Sequence, residues 1–234
     1  MHKKQKALQL LLDQKLLPLY YHDDEDISVE ILIALYEAGI RIVEYTNRGE
    51  SALGNFKALR KTADKKLEGL QLGIGTIKTK KQARRYIDAG ADFIVAPTIN
   101  EEVAEVTSDA KLLWIPGCMT PTEIAAAENA GAELVKIFPG NILGPSYISA
   151  IKDLFPGMKF MPTGGVEAEE NNLREWFGAG VVAVGMGSKL ISKKIVEGKD
   201  YEGLKYATAR ALGLVREASP NPSQGGAQLS TALA

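Results

Sequence analysis

Cysteine and histidine are nearly absent from this sequence of 234 residues. Cys118 is the only cysteine, so no disulfide can form within the chain, and the residue is more consistent with a small buried side chain than with a nucleophile. The two histidines, His2 and His22, provide neither a clustered zinc site nor a Ser-His-Asp triad. These absences favour metal-free chemistry.

The chain also lacks a charge imbalance and a long apolar run. With 28 basic and 29 acidic residues, the formal net charge of −1 attracts neither nucleic acid nor an anionic membrane, so an anionic ligand must be bound locally. No signal peptide and no apolar segment of membrane-spanning length are found. We therefore expect a cytoplasmic protein without a nucleic-acid or membrane partner.

The composition is that of a globular protein, with 45% hydrophobic and 24% charged residues. The length suits one α/β barrel, and we predict a single domain over residues 1–217. Residues 218–234 are rich in Pro, Gly, Ser and Gln, which predicts a flexible C-terminal tail. The basic residues 1–6, followed by the apolar residues 7–12, predict an additional N-terminal helix.

Apolar strands alternate with helical patterns along the chain. Helical segments end at Gly39, Gly90, Gly131 and Gly180, where glycine can adopt a positive φ before the next strand begins. Eight such alternations with continuous apolar strands predict a parallel (β/α)₈ TIM barrel. An open doubly wound sheet is the alternative, but the sequence has no Gly-rich dinucleotide-binding fingerprint after the first strand. The predicted strands are 16–21, 41–46, 71–75, 93–96, 112–116, 134–138, 159–162 and 181–185.

Lys136 lies within an apolar, β-branched segment that is typical of a buried strand. An unpaired buried ammonium costs several kcal/mol, roughly, so such a lysine is paired, neutral, or extended to solvent from the strand end. A neutral desolvated amine is a nucleophile toward carbonyl carbons. In a barrel, the carboxyl ends of the strands carry the chemistry, and Lys136 falls at one of those ends.

Glu44 interrupts the second predicted strand, and Arg48 follows four residues later, at the same end of the predicted barrel. An inward carboxylate beside an amine can transfer protons, and a guanidinium suits a carboxylate or phosphate. A simple ion pair between Glu44 and Arg48 is the alternative. After the third strand, Thr76 offers a hydroxyl where Gly75 leaves room for a ligand, unless Thr76 is only a helix N-cap.

Two glycine turns follow the seventh and eighth strands. Glycines let backbone N–H groups approach phosphate oxygens, and adjacent turns at these strands form the usual phosphate site of barrels. A tight turn without a ligand is the alternative for either one alone. The turns are Thr163-Gly164-Gly165 and Gly187-Ser188.

Taken together and in order, these motifs resemble the 2-keto-3-deoxy-6-phosphogluconate (KDPG) aldolase family, which includes 4-hydroxy-2-oxoglutarate (KHG) aldolases. The resemblance covers about residues 16 to 190. It is carried by Glu44-x-x-x-Arg48, Gly73-Ile74-Gly75-Thr76, Pro97, Pro116-Gly117-Cys118-Met119-Thr120-Pro121-Thr122-Glu123, Lys136-Ile137-Phe138-Pro139, Pro162-Thr163-Gly164-Gly165 and Gly187-Ser188.

The resemblance implies a class I aldolase without metal or other cofactor, usually a homotrimer, acting on a small phosphorylated 2-keto acid. It implies that Lys136 forms the Schiff base and that Glu44 is the acid–base residue. The other implied roles are carboxylate binding by Arg48 and Thr76, pocket walls from Pro97 and Phe138, and phosphate binding by Thr163, Gly164, Gly165, Gly187 and Ser188.

Two departures from the family pattern fall around the pocket. Ala96-Pro97-Thr98 replaces a common Ser-Pro-Gly, and Met186-Gly187-Ser188 replaces a Gly-Gly-Ser. The predicted reaction is cleavage of KDPG to pyruvate and glyceraldehyde 3-phosphate, with KHG, which would give pyruvate and glyoxylate, as a further substrate. A phosphate-binding barrel isomerase or epimerase and a non-catalytic sugar-phosphate binding module are the alternatives.

Overall fold

The computed structural model describes residues 3–219, in which nine short strand segments alternate with ten α-helices. The strands are β1 (Leu16–Tyr20), β2 (Ile42–Thr46), β3 (Gln71–Gly75), β4 (Phe93–Val95), β5 (Leu113–Ile115), β6 (Gly117–Cys118), β7 (Leu134–Ile137), β8 (Lys159–Pro162) and β9 (Val184–Met186). The helices are α1 (Lys3–Gln14), α2 (Glu25–Glu37), α3 (Ala52–Lys66), α4 (Lys80–Asp88), α5 (Glu101–Asp109), α6 (Pro121–Asn129), α7 (Gly140–Ile151), α8 (Glu170–Ala179), α9 (Lys193–Glu197) and α10 (Tyr201–Ala218).

The strands pair in parallel and close into a barrel. One run of neighbours is β5-β4-β3-β2-β1-β9, and the other is β6-β7-β8. Thr163 pairs with Gly185, and the Val182 amide donates to Phe160 O over 3.0 Å, which joins β8 to the segment of β9. Pro116 connects β5 to β6, and its carbonyl accepts from the Lys136 amide at 2.8 Å. The predicted (β/α)₈ barrel is confirmed, with its fifth strand divided at Pro116, which has no N–H to donate.

Two apolar clusters lie on opposite faces of the strands. The outer cluster packs the strands against the surrounding helices, with Val43, Tyr45 and Val135 among its members. The inner cluster fills the barrel and includes Ile42 and Leu134 together with Leu17, Phe93, Val95, Leu113, Ile115, Met161 and Ala183. Alternate residues of β2 and β7 therefore face the barrel axis.

The predicted additional N-terminal helix is present as α1, and it closes the amino-terminal end of the barrel. Its Ala7, Leu8 and Leu11 belong to the inner cluster. Gln14 fixes the end of the helix, because its side chain donates to Ile42 O at 3.0 Å and accepts from the Arg41 amide at 2.6 Å. The opposite, carboxyl-terminal end of the barrel is left for a site.

Glycine ends the helices where the sequence predicts it. Gly39, Gly90, Gly131 and Gly180 have φ values of 107°, 93°, 82° and 112°, a region that costs little only for glycine. The predicted capping box at α6 is also present, with Thr120 accepting from the Glu123 amide and Glu123 accepting from the Thr120 amide.

The predicted boundary at 217/218 falls at the last turn of α10. Residues 220–234 lie outside the described residues, so the flexible tail and the single-domain boundary stay predictions. Within residues 3–219, no helix is both long and apolar enough to cross a membrane.

Candidate active site

Lys136 and Glu44 face the barrel axis at its carboxyl-terminal end. Lys136 lies two residues after Leu134 in β7, and Glu44 lies two residues after Ile42 in β2, so each shares the inward face of its strand. Lys136 is 7% exposed and Glu44 is 1% exposed. The lysine therefore does not extend into bulk solvent, and both groups occupy the layer above the apolar filling of the barrel.

The Glu44 carboxyl is subject to opposing influences. Burial raises the pKa of Glu44 above its usual value, while the positive charges of Lys136 and Arg48 act in the opposite direction. Its Oε2 atom is buried without a hydrogen-bond partner. Among residues 3–219, no ion pair within 4.0 Å joins Glu44 to Arg48, so the simple ion-pair alternative does not describe this acid.

Gly75 provides the space that the Glu44 carboxyl occupies. A Cβ on Gly75 would overlap with Glu44 Oε1 and lie 2.5 Å from Glu44 Cδ. We expected that the space beside Gly75 would be open to a ligand. This expectation is wrong, because the Glu44 carboxyl occupies that space. The glycine determines where the carboxyl can lie.

Thr76 has a backbone conformation that is unusual for its residue type. Its φ is +62°, which a β-branched residue rarely adopts and which often marks a functional site. It is not a helix N-cap, because Thr79 occupies that position of α4 and accepts from the Gln82 amide. Thr76 is partly buried at the end of β3, next to the glycine that contacts Glu44.

Arg48 lies in a loop that is fixed on both sides. The Asn47 amide donates to Gly75 O at 2.9 Å, and Asn47 Oδ1 accepts from the Tyr86 hydroxyl at 2.8 Å. On the other side, a Cβ on Gly49 would overlap with the Tyr21 hydroxyl, so Tyr21 packs directly on the loop backbone. These contacts orient Arg48 toward the mouth of the barrel, where its side chain is exposed.

A cavity of about 340 Å³ opens at this end and contains most of the predicted ligand-binding residues. Gly164 and Gly165 have φ values of 91° and 73°, and a Cβ on Gly165 would lie 2.6 Å from Asn141 Cβ, so this turn requires glycine. The predicted residues that line the cavity are Arg48, Phe138, Thr163, Gly164, Gly165, Gly187 and Ser188.

The remaining predicted residues, Lys136, Glu44, Thr76 and Pro97, are not in the lining of this cavity. Lys136 Nζ is 4.9 Å from the centroid of the Phe138 ring, which connects the buried amine to the cavity lining. Pro97 is partly buried beside Gly117, the residue that pairs with Lys136 across β6 and β7. Thr163 differs from the other phosphate candidates, because it is 6% exposed and its Oγ1 is buried without a partner.

The cavity lining also includes residues that the sequence did not indicate as site residues, among them the polar residues Tyr21 and Lys189. Tyr21 is the last residue of the first predicted strand and Lys189 comes four residues after the eighth, so their positions near strand ends were the available signal, while their proximity depends on loop conformations that no local pattern encodes. Cys118 is buried as predicted, and burial raises the pKa of its thiol to about 12. Within residues 3–219, no three His, Cys, Asp or Glu side chains are grouped as metal ligands would be.

A larger cavity, of about 880 Å³, lies elsewhere, beside the start of α1 and the C-terminal ends of α3 and α4. Its lining includes Lys3, Lys6 and Asp64 and none of the candidate residues. The smaller cavity is the better candidate, because it meets the carboxyl ends of the strands, where barrel enzymes carry out their chemistry.

The fold and the site define a barrel enzyme with a buried amine and a buried acid at the end of the barrel where glycine turns line a cavity. The family model "KDPG and KHG aldolase" matches residues 8–206 of the chain. The chain therefore belongs to the KDPG and KHG aldolase family, a family of lyases, as its motifs predict. This membership favours the aldolase prediction over an isomerase, an epimerase or a binding module.

Individual relatives agree with this assignment. A probable 2-dehydro-3-deoxy-6-phosphogalactonate aldolase of Rhizobium meliloti is 33% identical over 67% of this chain and 72% of its own length. A 2-dehydro-3-deoxy-phosphogluconate aldolase of Haemophilus influenzae is 26% identical over 91% of this chain and 98% of its own. A crystal structure of a 4-hydroxy-2-oxoglutarate/2-dehydro-3-deoxyphosphogluconate aldolase is 33% identical with a TM-score of 0.76, covering 89% of this chain and 98% of its own.

Proposed function

We propose that the chain cleaves KDPG into pyruvate and glyceraldehyde 3-phosphate through a covalent lysine imine. The observation that carries this proposal is the placement of Lys136 and Glu44, an amine and an acid that are both buried on the inward face of the barrel mouth. A desolvated amine beside a proton-transferring acid is the pair that imine chemistry requires.

In the proposed reaction, the neutral Lys136 amine attacks the C2 carbonyl carbon of the substrate. Glu44 supplies and removes the protons of carbinolamine formation and of water loss, which leaves a protonated imine. This cation accepts the electron pair of the C3–C4 bond when Glu44, directly or through a water, removes the C4 hydroxyl proton, so that glyceraldehyde 3-phosphate departs. Glu44 then protonates the enamine at C3, and hydrolysis releases pyruvate and Lys136.

The environment of Glu44 suits this cycle of protonation. Burial raises its pKa toward the working range of a general acid, and the nearby Lys136 and Arg48 charges limit that rise. A carboxyl held between these influences can both donate and accept a proton during turnover. Gly75 keeps the carboxyl on the inward side of the barrel.

The remaining candidate residues are proposed to bind the substrate. Arg48 and Thr76 would hold the carboxylate of the 2-keto acid, and Pro97 and Phe138 would wall the reacting carbons. The distal phosphate would lie against the glycine turns, where backbone N–H groups can approach its oxygens. The residues proposed for that phosphate are Thr163, Gly164, Gly165, Gly187 and Ser188.

The family relatives support two further substrates. The C4 epimer, 2-keto-3-deoxy-6-phosphogalactonate, is a candidate because the relative from Rhizobium meliloti carries that name at 33% identity. KHG is a candidate because the crystal structure at 33% identity is described as acting on it as well. All three compounds share the 2-keto acid that Lys136 would attack, and they differ at C4 and at the distal end.

The proposed enzyme requires no metal or organic cofactor, because Lys136 supplies the electron sink. We propose a cytoplasmic protein that, as the resemblance implies, forms a homotrimer. A solution mass of three times the chain mass of 25.3 kDa supports the trimer, and a monomer mass contradicts it.

The experiment is a coupled assay of pyruvate release from the three substrates, with Lys136→Met as the matched variant. The proposal predicts turnover of at least one phosphorylated substrate by the wild-type protein and loss of essentially all aldol activity in Lys136→Met, with the fold retained by circular dichroism. Wild-type rates in that variant would rule out the covalent mechanism.

A further inference from the structure

Lys189 lies at the rim of the candidate cavity, directly after Ser188. Its side chain is 56% exposed, so the ammonium can move. Arg48 and Lys189 are the basic residues in the lining of this cavity, and Arg48 is already proposed to bind the carboxylate end of the substrate. Of these two cations, Lys189 is the one adjacent in sequence to a glycine turn, Gly187-Ser188.

Lys189 forms an ion pair with Glu167, which comes two residues after Gly165. The pair thus connects the turn after β8 to the turn after β9, the two turns proposed to bind phosphate. Glu167 does not line the cavity, whereas Lys189 does. The Glu167 backbone is held by its amide, which donates to Asn172 Oδ1 at 2.9 Å. The carboxylate raises the pKa of Lys189.

An exposed lysine–carboxylate pair contributes little to stability, so exchanging the partner of Lys189 costs little. A phosphate monoester carries about −1.5 to −2 charges at pH 7 and three acceptor oxygens, which makes it a stronger partner than one carboxylate. A phosphate held by the two glycine turns would lie in the cavity that Lys189 lines and Glu167 does not.

We propose that Lys189 is a specificity-determining residue, whose ammonium exchanges Glu167 for the distal phosphate and so favours phosphorylated over unphosphorylated 2-keto acids. This inference rests on the proposed aldolase function. Glu167 acts as the competing partner that keeps Lys189 at the rim when no phosphate is bound. When phosphate is bound, the Lys189 ammonium contacts it together with the two glycine turns.

The test compares KM for KDPG and for KHG, which has no phosphate, in wild type, three single variants and one double variant. Lys189→Met removes the cation and keeps the side-chain length, and Glu167→Gln removes the competing charge with little change in shape. Lys193→Met is the matched control, because Lys193 is also an exposed lysine paired with a glutamate, Glu197, at 3.5 Å, and it does not line the cavity. Inhibition by inorganic phosphate is measured in parallel.

We expect Lys189→Met to raise KM for KDPG about five- to twentyfold and to weaken inhibition by phosphate similarly, with KM for KHG changed less than about twofold. Glu167→Gln is expected to lower KM for KDPG about two- to threefold, and this gain should vanish in the Lys189→Met background. Lys193→Met should match wild type on both substrates.

Equal KM changes for both substrates, or no change for KDPG in Lys189→Met, overturn the specificity role while the aldolase function stands. Absence of cleavage of either substrate by the wild-type protein overturns the proposed function and this inference with it. The two failures are thus distinguishable by the wild-type measurement alone.

Discussion

At the scale of single residues, Glu44 is the group whose chemistry is most constrained by its surroundings. It is buried in the barrel, one oxygen has no hydrogen-bond partner, and two nearby cations oppose the effect of burial. When such a buried acid changes its protonation state during a reaction, solvent does not stabilise its charged form, so the neighbouring groups determine the cost. Its substitution therefore separates the steps that need proton transfer from those that need only the amine.

Replacement of Glu44 by glutamine should lower kcat about 10²- to 10⁴-fold, the usual contribution of general acid–base catalysis. The imine with pyruvate should still form slowly, because Lys136 is unchanged. Steady-state kinetics measures the first effect, and reductive trapping followed by mass spectrometry measures the second. A kcat close to that of wild type would show that another group moves the protons.

Glu44 also predicts a pH dependence of stability. Because the pKa of Glu44 is raised in the folded protein, the folded state binds this proton more tightly than the unfolded chain does. The stability associated with Glu44 is therefore fully present below pH 4.5 and is lost as the pH rises through the folded pKa. Relative to wild type, Glu44→Gln should gain stability on going from pH 4.5 to neutral pH, as thermal denaturation at several pH values can measure. A difference in stability that does not depend on pH contradicts this expectation.

The contact between Gly75 and the Glu44 carboxyl leads to a further prediction for single residues. Gly75→Ala places a methyl group where the Glu44 carboxyl lies, so kcat should fall at least about tenfold as the acid is displaced. The Glu44→Asp substitution shortens the acid and removes the overlap, so Gly75→Ala should cost much less in that background. The two single variants and the double variant are compared by their kcat values.

Gly178→Ala is the control for Gly75, because a Cβ on Gly178 in α8 meets nothing within 4 Å. It should leave kcat unchanged. Additive losses in the Gly75 and Glu44 double variant would indicate that Gly75 supports the barrel generally rather than positioning the acid.

The candidate residues could be predicted from the sequence, but the contacts between them could not. Lys136, Glu44 and the glycine turns follow from apolar strands that end in polar or glycine residues, a local pattern. The contact of Gly75 with Glu44 depends on the register of β2 against β3, in which Glu44 pairs with Gly73 and Thr46 with Gly75. Register is a property of two strands together, so no single segment encodes it.

At the scale of secondary-structure elements, α1 has a structural role that is separate from the site. It packs Leu11, which is fully buried, into the amino-terminal end of the barrel. The candidate active site lies at the other end. Stability and activity should therefore respond differently to changes in this helix.

Leu11→Ala should lower the free energy of unfolding by about 2–5 kcal/mol, because it removes buried methyl groups and leaves a cavity. Under conditions where the variant is folded, its kcat should stay within about twofold of wild type, since the substitution is remote from Lys136 and Glu44. Guanidinium denaturation measures the stability. Gln5→Ala, on the exposed face of α1, is the control, and an equal loss there would contradict a specific role for the buried face.

The elements also show where prediction from the sequence ends. Eight strands were predicted from apolar runs, yet the fifth is divided, because Pro116 interrupts the ladder and turns β6 toward β7. The last strand begins at Val184 rather than at 181, since only part of an apolar run pairs regularly with β1. Apolar runs report burial, whereas strand bounds depend on the pairing partner.

At the scale of the whole molecule, closure of the barrel makes the site. The residues of the candidate site come from strands and loops between positions 44 and 188, and the closed ring of strands gathers them at one end. Helix α1 occupies the other end, so the inward layer at the carboxyl ends is left for Lys136 and Glu44. The order of strands and helices and the place of the site at the carboxyl ends of the strands were predictable from the sequence, whereas the packing of α1 into the other end was seen only in the structure.

The central claim is that Lys136 forms a covalent imine with a 2-keto acid, and incubation with pyruvate and borohydride tests it most directly. Peptide mass spectrometry should locate a reduced pyruvate adduct on Lys136 in the wild-type protein and find none at that position in Lys136→Met. Pyruvate release from KDPG without any adduct on Lys136, or an adduct formed equally well on another lysine, would contradict the account.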